Sequence, residues 1–310
     1  MILRRGGLVA FPTETVYGLG ADAENETAMR ALFAAKGRPA DHPVIVHLAD
    51  AALVDQFAAK VPDAARKLAA TFWPGPMTLV LPRSARISDF VTGGLETVGL
   101  RVPGHPVAHA LLTEFGGPIA APSANRFGRV SCTRAEHVVA ELGARVELIL
   151  DGGECKVGVE STIIDVSGKQ PAILRPGAVT AEQAATVLRE SLTAGSKSSP
   201  RVSGSLPSHY APKARVELVE AEEVVSRARK LASQGQKVVV IGPASLQLTD
   251  RGIELLIAPR GDESLAHALY SLLRQADELG CDVVVTSAPE EQGIGAAIAD
   301  RLRRAAGPRD

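Results

Sequence analysis

Four short clusters carry side chains suited to gripping an anionic ligand. The first runs Phe11-Pro12-Thr13-Glu14-Thr15-Val16-Tyr17-Gly18-Leu19-Gly20. Its two hydroxyls and glycine-hinged backbone suit a small polar ligand, and the same hydroxyls equally suit an ST-turn or a helix cap. The second is Lys36-Gly37-Arg38-Pro39. Two cations on a stiff backbone fit a polyphosphate, while in a plainer role they complement a helix C-terminus. In the third, the apolar run Pro118-Ile119-Ala120-Ala121 leads into Pro122-Ser123-Ala124-Asn125. That places one hydroxyl and one amide at a rigid edge, where capping a helix is the alternative. The fourth joins Glu160-Ser161-Thr162 to Leu174-Arg175-Pro176-Gly177, and Arg101 ends a further apolar run. Together these residues make a cationic pocket with hydroxyl and amide donors and no acid–base dyad, as binding and joining anions requires.

Other chemistries lack their residues. The sequence has no GxxxxGK[ST], and both Gly18-Leu19-Gly20 and Gly293-Ile294-Gly295 lack the third glycine of a dinucleotide fingerprint. No GxSxG elbow is present. His105 and His109 stand i, i+4, but the Glu of HExxH is missing and Pro106 is placed to open a helix after His105. Cys132, Cys155 and Cys281 form no CxxC pair and are too few for a disulfide framework. The start lacks an apolar signal region, and no run approaches the ~18 residues of a membrane span. These features lead us to expect a reduced, cytoplasmic protein. The 34 Lys and Arg against 35 Asp and Glu give a net charge of −1. That excludes a chain-wide basic coat for nucleic acid, though not a local basic pocket.

The elements that position these clusters follow from periodicity. Apolar runs at 8–11, 44–48, 77–81, 98–102, 119–121, 148–151 and 161–166 read as strands buried on both faces. Between them, helical patterns span 27–35, 51–59, 63–70, 107–115 and 133–142, with Gly37, Gly116 and Gly143 at the C-caps. Two helices follow 44–48, and 161–166 with 172–175 reads as a hairpin, so a mixed sheet is expected rather than a purely doubly wound one. At 310 residues the chain predicts about two domains. The small, Pro/Gly-broken stretches 193–200 and 203–207 read as a linker, and a flexible stretch of ~20 residues spans about 25 Å. Beyond it, strands at 216–219, 238–241, 254–257 and 283–285 and helices at 222–233, 264–279 and 296–305 predict a compact second α/β unit.

These residues resemble the YrdC-type L-threonylcarbamoyladenylate synthases, in their long form with a C-terminal domain. The matching stretches are FPTETVYGLGADA (11–23), KGRPADHPVIVHL (36–48), FWPGPMTLVL (72–81), VGLRVPGHP (98–106), PIAAPSAN (118–125), GVESTIID (158–165), LRPG (174–177) and HYAP (209–212). The resemblance implies an α/β fold, a twisted mixed sheet with flanking helices over 1–192. It further implies a linker or lid at 193–212 and a smaller Rossmann-like domain over 213–310. The implied reaction joins L-threonine, bicarbonate and ATP, with Mg²⁺, into L-threonylcarbamoyl-AMP, pyrophosphate and water. The product serves threonylcarbamoyladenosine formation in tRNA, so tRNA or tRNA-modifying transferase proteins are implied partners. By the same resemblance Lys36, Arg38, Ser123 and Asn125 are catalytic and nucleotide-binding. Further ATP contacts fall on Thr97, Ser131, Arg175 and Tyr210, and threonine contacts on Thr13, His47, Arg101, Ala121 and Ser161. A double-stranded RNA-binding module without synthase activity is the competing expectation. In one departure, family members usually carry a helix before the first strand, whereas Gly6-Gly7 here follows the start almost at once.

Overall fold

Side chains alternate across a strand, and in this chain the alternation separates two environments. The computed structural model describes residues 2–196, 198–206 and 208–308; Met1, Lys197, Pro207, Arg309 and Asp310 lie outside the described residues. The chain divides into two compact units, Met1–Phe127 with Ser131–Ser205, and Gly128–Val130 with Leu206–Asp310.

The first unit is built on ten strands: β1 (Val9–Phe11), β2 (Gly18–Asp22), β3 (Val46–His47), β4 (Met77–Pro82), β5 (Thr97–Arg101), β6 (Ile119–Ala120), β7 (Leu148–Ile149), β8 (Thr162–Asp165), β9 (Ala172–Arg175) and β10 (Thr193–Ala194). Their order is β10-β9-β8-β4-β5-β3-β6-β2-β1-β7, with parallel and antiparallel pairs intermixed. The helices are α1 (Glu26–Lys36), α2 (Val54–Phe57), α3 (Asp63–Phe72), α4 (Asp89–Thr92), α5 (Pro106–Phe115), α6 (Ala135–Leu142) and α7 (Ala181–Leu188).

One sheet face carries Ala10, Leu19, Val46, Leu79, Leu81, Val98, Leu100, Ala120 and Ile164, all in the main core with Met29, Leu32, Leu68 and Val138 of the helices. The opposite face is divided. At one end Leu3, Val9, Phe11, Ile119 and Ala121 pack with Ala108 and Leu112 of α5. Leu3 belongs to a 3-10 turn ahead of β1, so the outer side of β1 is covered in spite of the short lead-in. At the other end Ile45, Val80 and Ile163 form a small apolar patch, with Leu174 and Val202 packed against it. Between them the alternation of β3 and β5 leaves His47, Thr97, Gly99 and Arg101 on this less covered face. The parallel register sets His47 beside Arg101.

Three expectations need revision. The glycine-rich 18–22 stretch is a strand, β2, antiparallel to both β1 and β6. Only glycine fits at Gly20, where a Cβ would lie 2.8 Å from the Phe11 ring. The linker composition at 193–205 conceals structure: β10 extends the sheet beside β9 and the segment to Ser205 belongs with the first unit. Gly143 does not adopt the left-handed helical cap, since its φ of 50° is joined to a ψ of −128°, whereas Gly37 and Gly116 do.

The second unit carries a fully parallel sheet, β11 (Arg215–Leu218), β12 (Val238–Gly242), β13 (Ile253–Ile257) and β14 (Val283–Thr286), in the order β11-β14-β12-β13. Helices α8 (Val224–Ser233), α9 (Asp262–Glu278) and α10 (Gly295–Ala305) accompany it. This is the expected Rossmann-like layering.

Close backbone approach explains the last glycine of LRPG. A Cβ on Gly177 would stand 2.4 Å from the Thr162 nitrogen and 2.6 Å from the Glu160 carbonyl oxygen, both main-chain atoms that cannot swing aside. Gly177→Ala should therefore cost about 1–3 kcal/mol, read as a lower urea midpoint at unchanged m-value. An unchanged midpoint would show that the segment is loose.

Candidate functional site

Helix α1 places the first cation. It starts at Asn25, whose side chain accepts from the Ala28 amide, and ends where Gly37 turns left-handed at φ 62°. Lys36, its last residue, is thereby directed inward and is only 3% exposed. Its Nζ donates to the backbone carbonyls of Ser123 and Asn125. The Phe127 amide returns a bond to the Lys36 carbonyl at 2.9 Å. The two expected pairs, Lys-x-Arg and Ser-x-Asn, are thus laced together although about ninety positions separate them. No helix begins at Ser123 or Asn125. The Asn125 amide donates to the Arg126 carbonyl at 2.8 Å.

Arg38, 7% exposed, donates to the Pro43 carbonyl at 2.8 Å and lies 5.5 Å above the Phe127 ring. Arg175, 3% exposed, donates to the Ser161 carbonyl at 2.8 Å and to the Ser203 carbonyl at 2.9 Å. Ser131 donates to Glu160 Oε1 at 2.5 Å. Burial, and then the neighbouring Arg38 guanidinium, pull Lys36 down to about 7. Its two carbonyl acceptors favour the ammonium and oppose that pull.

The second wall centres on Arg101. Its Nη2 sits 2.8 Å from Glu14 Oε1 and 3.0 Å from Thr15 Oγ1, and its Nε reaches the Gly75 carbonyl at 3.3 Å. Glu14 Oε2 in turn accepts from the Gly104 amide at 3.0 Å. Thr13 closes an ST-turn: its hydroxyl donates to the Val16 carbonyl at 2.6 Å and accepts from the Thr15 and Val16 amides. Of the two uses open to that hydroxyl, the turn is the one its bonds display. His47 is buried edge-on to Phe11, and its Nδ1 has no hydrogen-bond partner. Burial first, then the Arg101 cation, hold it down at about 3, so the imidazole is neutral. Ser161 Oγ lies 2.8 Å from Thr78 Oγ1 and 3.1 Å from Arg175 Nη2. Ala121 is buried beside Gly18, whose absent Cβ leaves the two strands close.

Thr97 lines a cavity of about 20 Å³ together with Thr78, Gly99, Ile163 and the segment Arg201, Val202, Ser203. That is room for roughly one water, because Val202 fills the rest. Tyr210 belongs to the second unit, where it stacks on Tyr270 at 5.9 Å beneath the Arg301 guanidinium at 5.0 Å. His105 caps α5 through Nδ1, which accepts from the Val107 amide, and Pro106 opens the helix. Glu14 is the residue that motif reading passed over. An acid between two threonines, with an arginine at a strand end to balance, is the signal that could have found it.

Two family models match this chain. One, described as "Telomere recombination", covers residues 1–177 of the Sua5/YciO/YrdC type, and the other, "Threonylcarbamoyl-AMP synthase, C-terminal domain", covers residues 179–307. The threonylcarbamoyl-AMP synthases of Pyrococcus abyssi and Bacillus subtilis are 42% and 40% identical to it, each over 99% of this chain and 92% of the relative. A crystal structure of P. abyssi Sua5 complexed with L-threonine matches with a TM-score of 0.93 at 41% identity, over 98% of this chain and 92% of that one.

The lowered Lys36 makes a prediction independent of any ligand. The unfolded chain holds the lysine proton up to its ordinary value of 10.5, the folded one only to about 7. Between those values the unfolded state binds more protons, so this lysine makes stability rise with pH. Urea titrations from pH 7 to 10 should show wild type gaining on Lys36→Met across that window. Parallel curves would place the Lys36 proton elsewhere.

Proposed function

The chain belongs to the threonylcarbamoyl-AMP synthase family, and we propose that its first unit condenses L-threonine, bicarbonate and ATP on the face just described. The observation that carries this reading is the Lys36 ammonium held between the Ser123 and Asn125 carbonyls. It gathers two cations, a hydroxyl and an amide into one wall.

Threonine's amine, freed of its proton, attacks the bicarbonate carbon and water leaves. The resulting carbamate oxygen attacks the α-phosphorus of ATP, and the bond to pyrophosphate breaks. Both steps ask for positioning and charge neutralisation rather than a nucleophilic side chain. Lys36 and Arg38 would neutralise the triphosphate, with Ser123 and Asn125 orienting the α-phosphate and carbamate oxygens. Thr97, Ser131, Arg175 and Tyr210 are the remaining proposed nucleotide contacts. Arg101 would take the threonine carboxylate while keeping its hold on Glu14, and His47, Ser161, Ala121 and Thr13 would frame the rest. A neutral His47 suits this work, since it places no second positive charge against Arg101. Among the described residues no group of three or more His, Cys, Asp or Glu could hold a metal. A Mg²⁺ accompanying ATP would be held chiefly by phosphate oxygens and water. No helix among the described residues is long and apolar enough to cross a membrane. We place the reaction in the cytoplasm, its product passing to a separate transferase that modifies tRNA.

Purified protein given ATP, Mg²⁺, threonine and labelled bicarbonate should yield a labelled adenylate and pyrophosphate only when all are present. RNA binding without label transfer would select the competing module. Lys36→Ala should lower kcat/KM for ATP by about 10²–10³. Phosphate beside a lysine poised at about 7 also restores its proton. ATP binding at pH 8 should therefore take up protons, measured by calorimetry in buffers of different ionisation enthalpy. Lys36→Met should take up fewer, and identical uptake would remove Lys36 from the triphosphate site.

A further inference from the structure

The main chain leaves the first unit after Phe127 and rejoins it at Ser131, so Gly128–Val130 packs with the second unit. This excursion lies between two proposed nucleotide-site residues, Asn125 before it and Ser131 after it. Its surroundings converge on one carboxylate. Asp277, on the last turn of α9, accepts from Arg129 Nη2 at 3.2 Å, from the Lys213 amide at 2.7 Å and from the Ala214 amide at 3.0 Å. Arg129 and Asp277 are 24% and 15% exposed, so solvent screens this pair only partly. The Ala211 amide donates to the Gly128 carbonyl at 2.9 Å, and Arg129 and Ala211 form a parallel β-bridge. Arg274, one turn earlier on α9, donates to the Val130 carbonyl.

We infer that Asp277 is a positioning residue of the synthase: it fixes the 128–130 excursion to the 211–214 segment and so sets the backbone that carries Asn125 and Ser131. Asp277 thereby acts on the proposed nucleotide residues through the main chain that joins them to 128–130. The inference rests on the nucleotide site proposed above. A carboxylate is required because two main-chain amides and a guanidinium converge on it and a neutral amide offers a single acceptor oxygen. A carboxylate that accepts several such bonds contributes far more than an exposed pair.

The test uses the full-length protein with Asp277→Asn, Asp277→Glu and Arg129→Ala. Calorimetry with ATP and with threonine, hydrogen exchange and a thermal melt are read for each. Asp277→Asn should weaken ATP binding about tenfold and leave threonine binding within twofold. The Ala211, Lys213 and Ala214 amides should exchange faster. Arg129→Ala should weaken ATP binding in the same direction without exposing the Lys213 and Ala214 amides, and Asp277→Glu should recover part of the loss. Unchanged ATP affinity in both Asp277→Asn and Arg129→Ala overturns the inference, as does equal loss of ATP and threonine binding, which is what general loosening would produce. Absence of product from the wild type would sink the synthase reading instead, and the calorimetric comparison does not depend on turnover. If Asp277→Asn fails to melt cooperatively, Arg129→Ala decides alone.

Discussion

Four buried cations, Lys36, Arg38, Arg101 and Arg175, each donate to a main-chain carbonyl, and the rest of the first unit is arranged around that constraint. An unpaired charge inside a protein is expensive, and the usual remedy is a carboxylate. Here Lys36 meets the carbonyls of Ser123 and Asn125, Arg38 the carbonyl of Pro43, and Arg175 those of Ser161 and Ser203. Carbonyl dipoles solvate a cation without cancelling its charge. The cost shows at Lys36, which burial and Arg38 draw down to about 7. Arg101 also has Glu14 facing it directly. A zwitterionic amino acid needs an acidic and a basic contact at once, and that ion pair supplies both signs at one spot.

The scaffold follows from the same need. Dipoles aim only if the backbone carrying them is fixed, and the carbonyls that hold Lys36 lie just beyond β6, in the interior of a ten-stranded sheet. The sheet face opposite the main core is left lightly covered at its centre, where Gly99 and Thr97 replace larger side chains. Period-two alternation places His47 and Arg101 there, beside each other in register. One face therefore stores apolar free energy and the other displays polar groups on rigid strands, which hold geometry more tightly than loops do.

Much of this architecture was legible because burial on both faces leaves short runs of Val, Ile and Leu that stand out between amphipathic helices. The hairpin of β8 and β9 and the departure from a purely parallel sheet were readable from spacing alone. What escaped had a composition shared by two structures. Gly18–Asp22 looks like a ligand loop because its glycines are numerous, yet they are there so that β2 can pass over the Phe11 ring. Residues 193–205 look like a flexible connector because they are small and polar. They adhere to the sheet all the same, through main-chain pairing of β10 and through Val202 on an apolar triplet too small to register as a core. The candidate site was half legible. The cations and the Ser-x-Asn pair announce an anion pocket by residue type. Glu14 is invisible without knowing that Arg101 will face it, since a single acid in a polar stretch carries no periodic signal.

The placement of Val202 bears on how such a site must work. Carbamates and mixed anhydrides decompose in water, so the reacting face has to be dry during chemistry and open for exchange. A permanently buried pocket would satisfy the first need and fail the second. Residues 201–203 rest on the sheet through one valine, the Arg175 bond to the Ser203 carbonyl and a long 3.5 Å contact from Arg38 to the Ser203 hydroxyl. The last two of those contacts engage arginines that an anionic ligand would itself claim. Phosphate oxygens compete for Arg38 and Arg175 far better than a serine does, since charge-assisted bonds are about twice as strong as neutral ones.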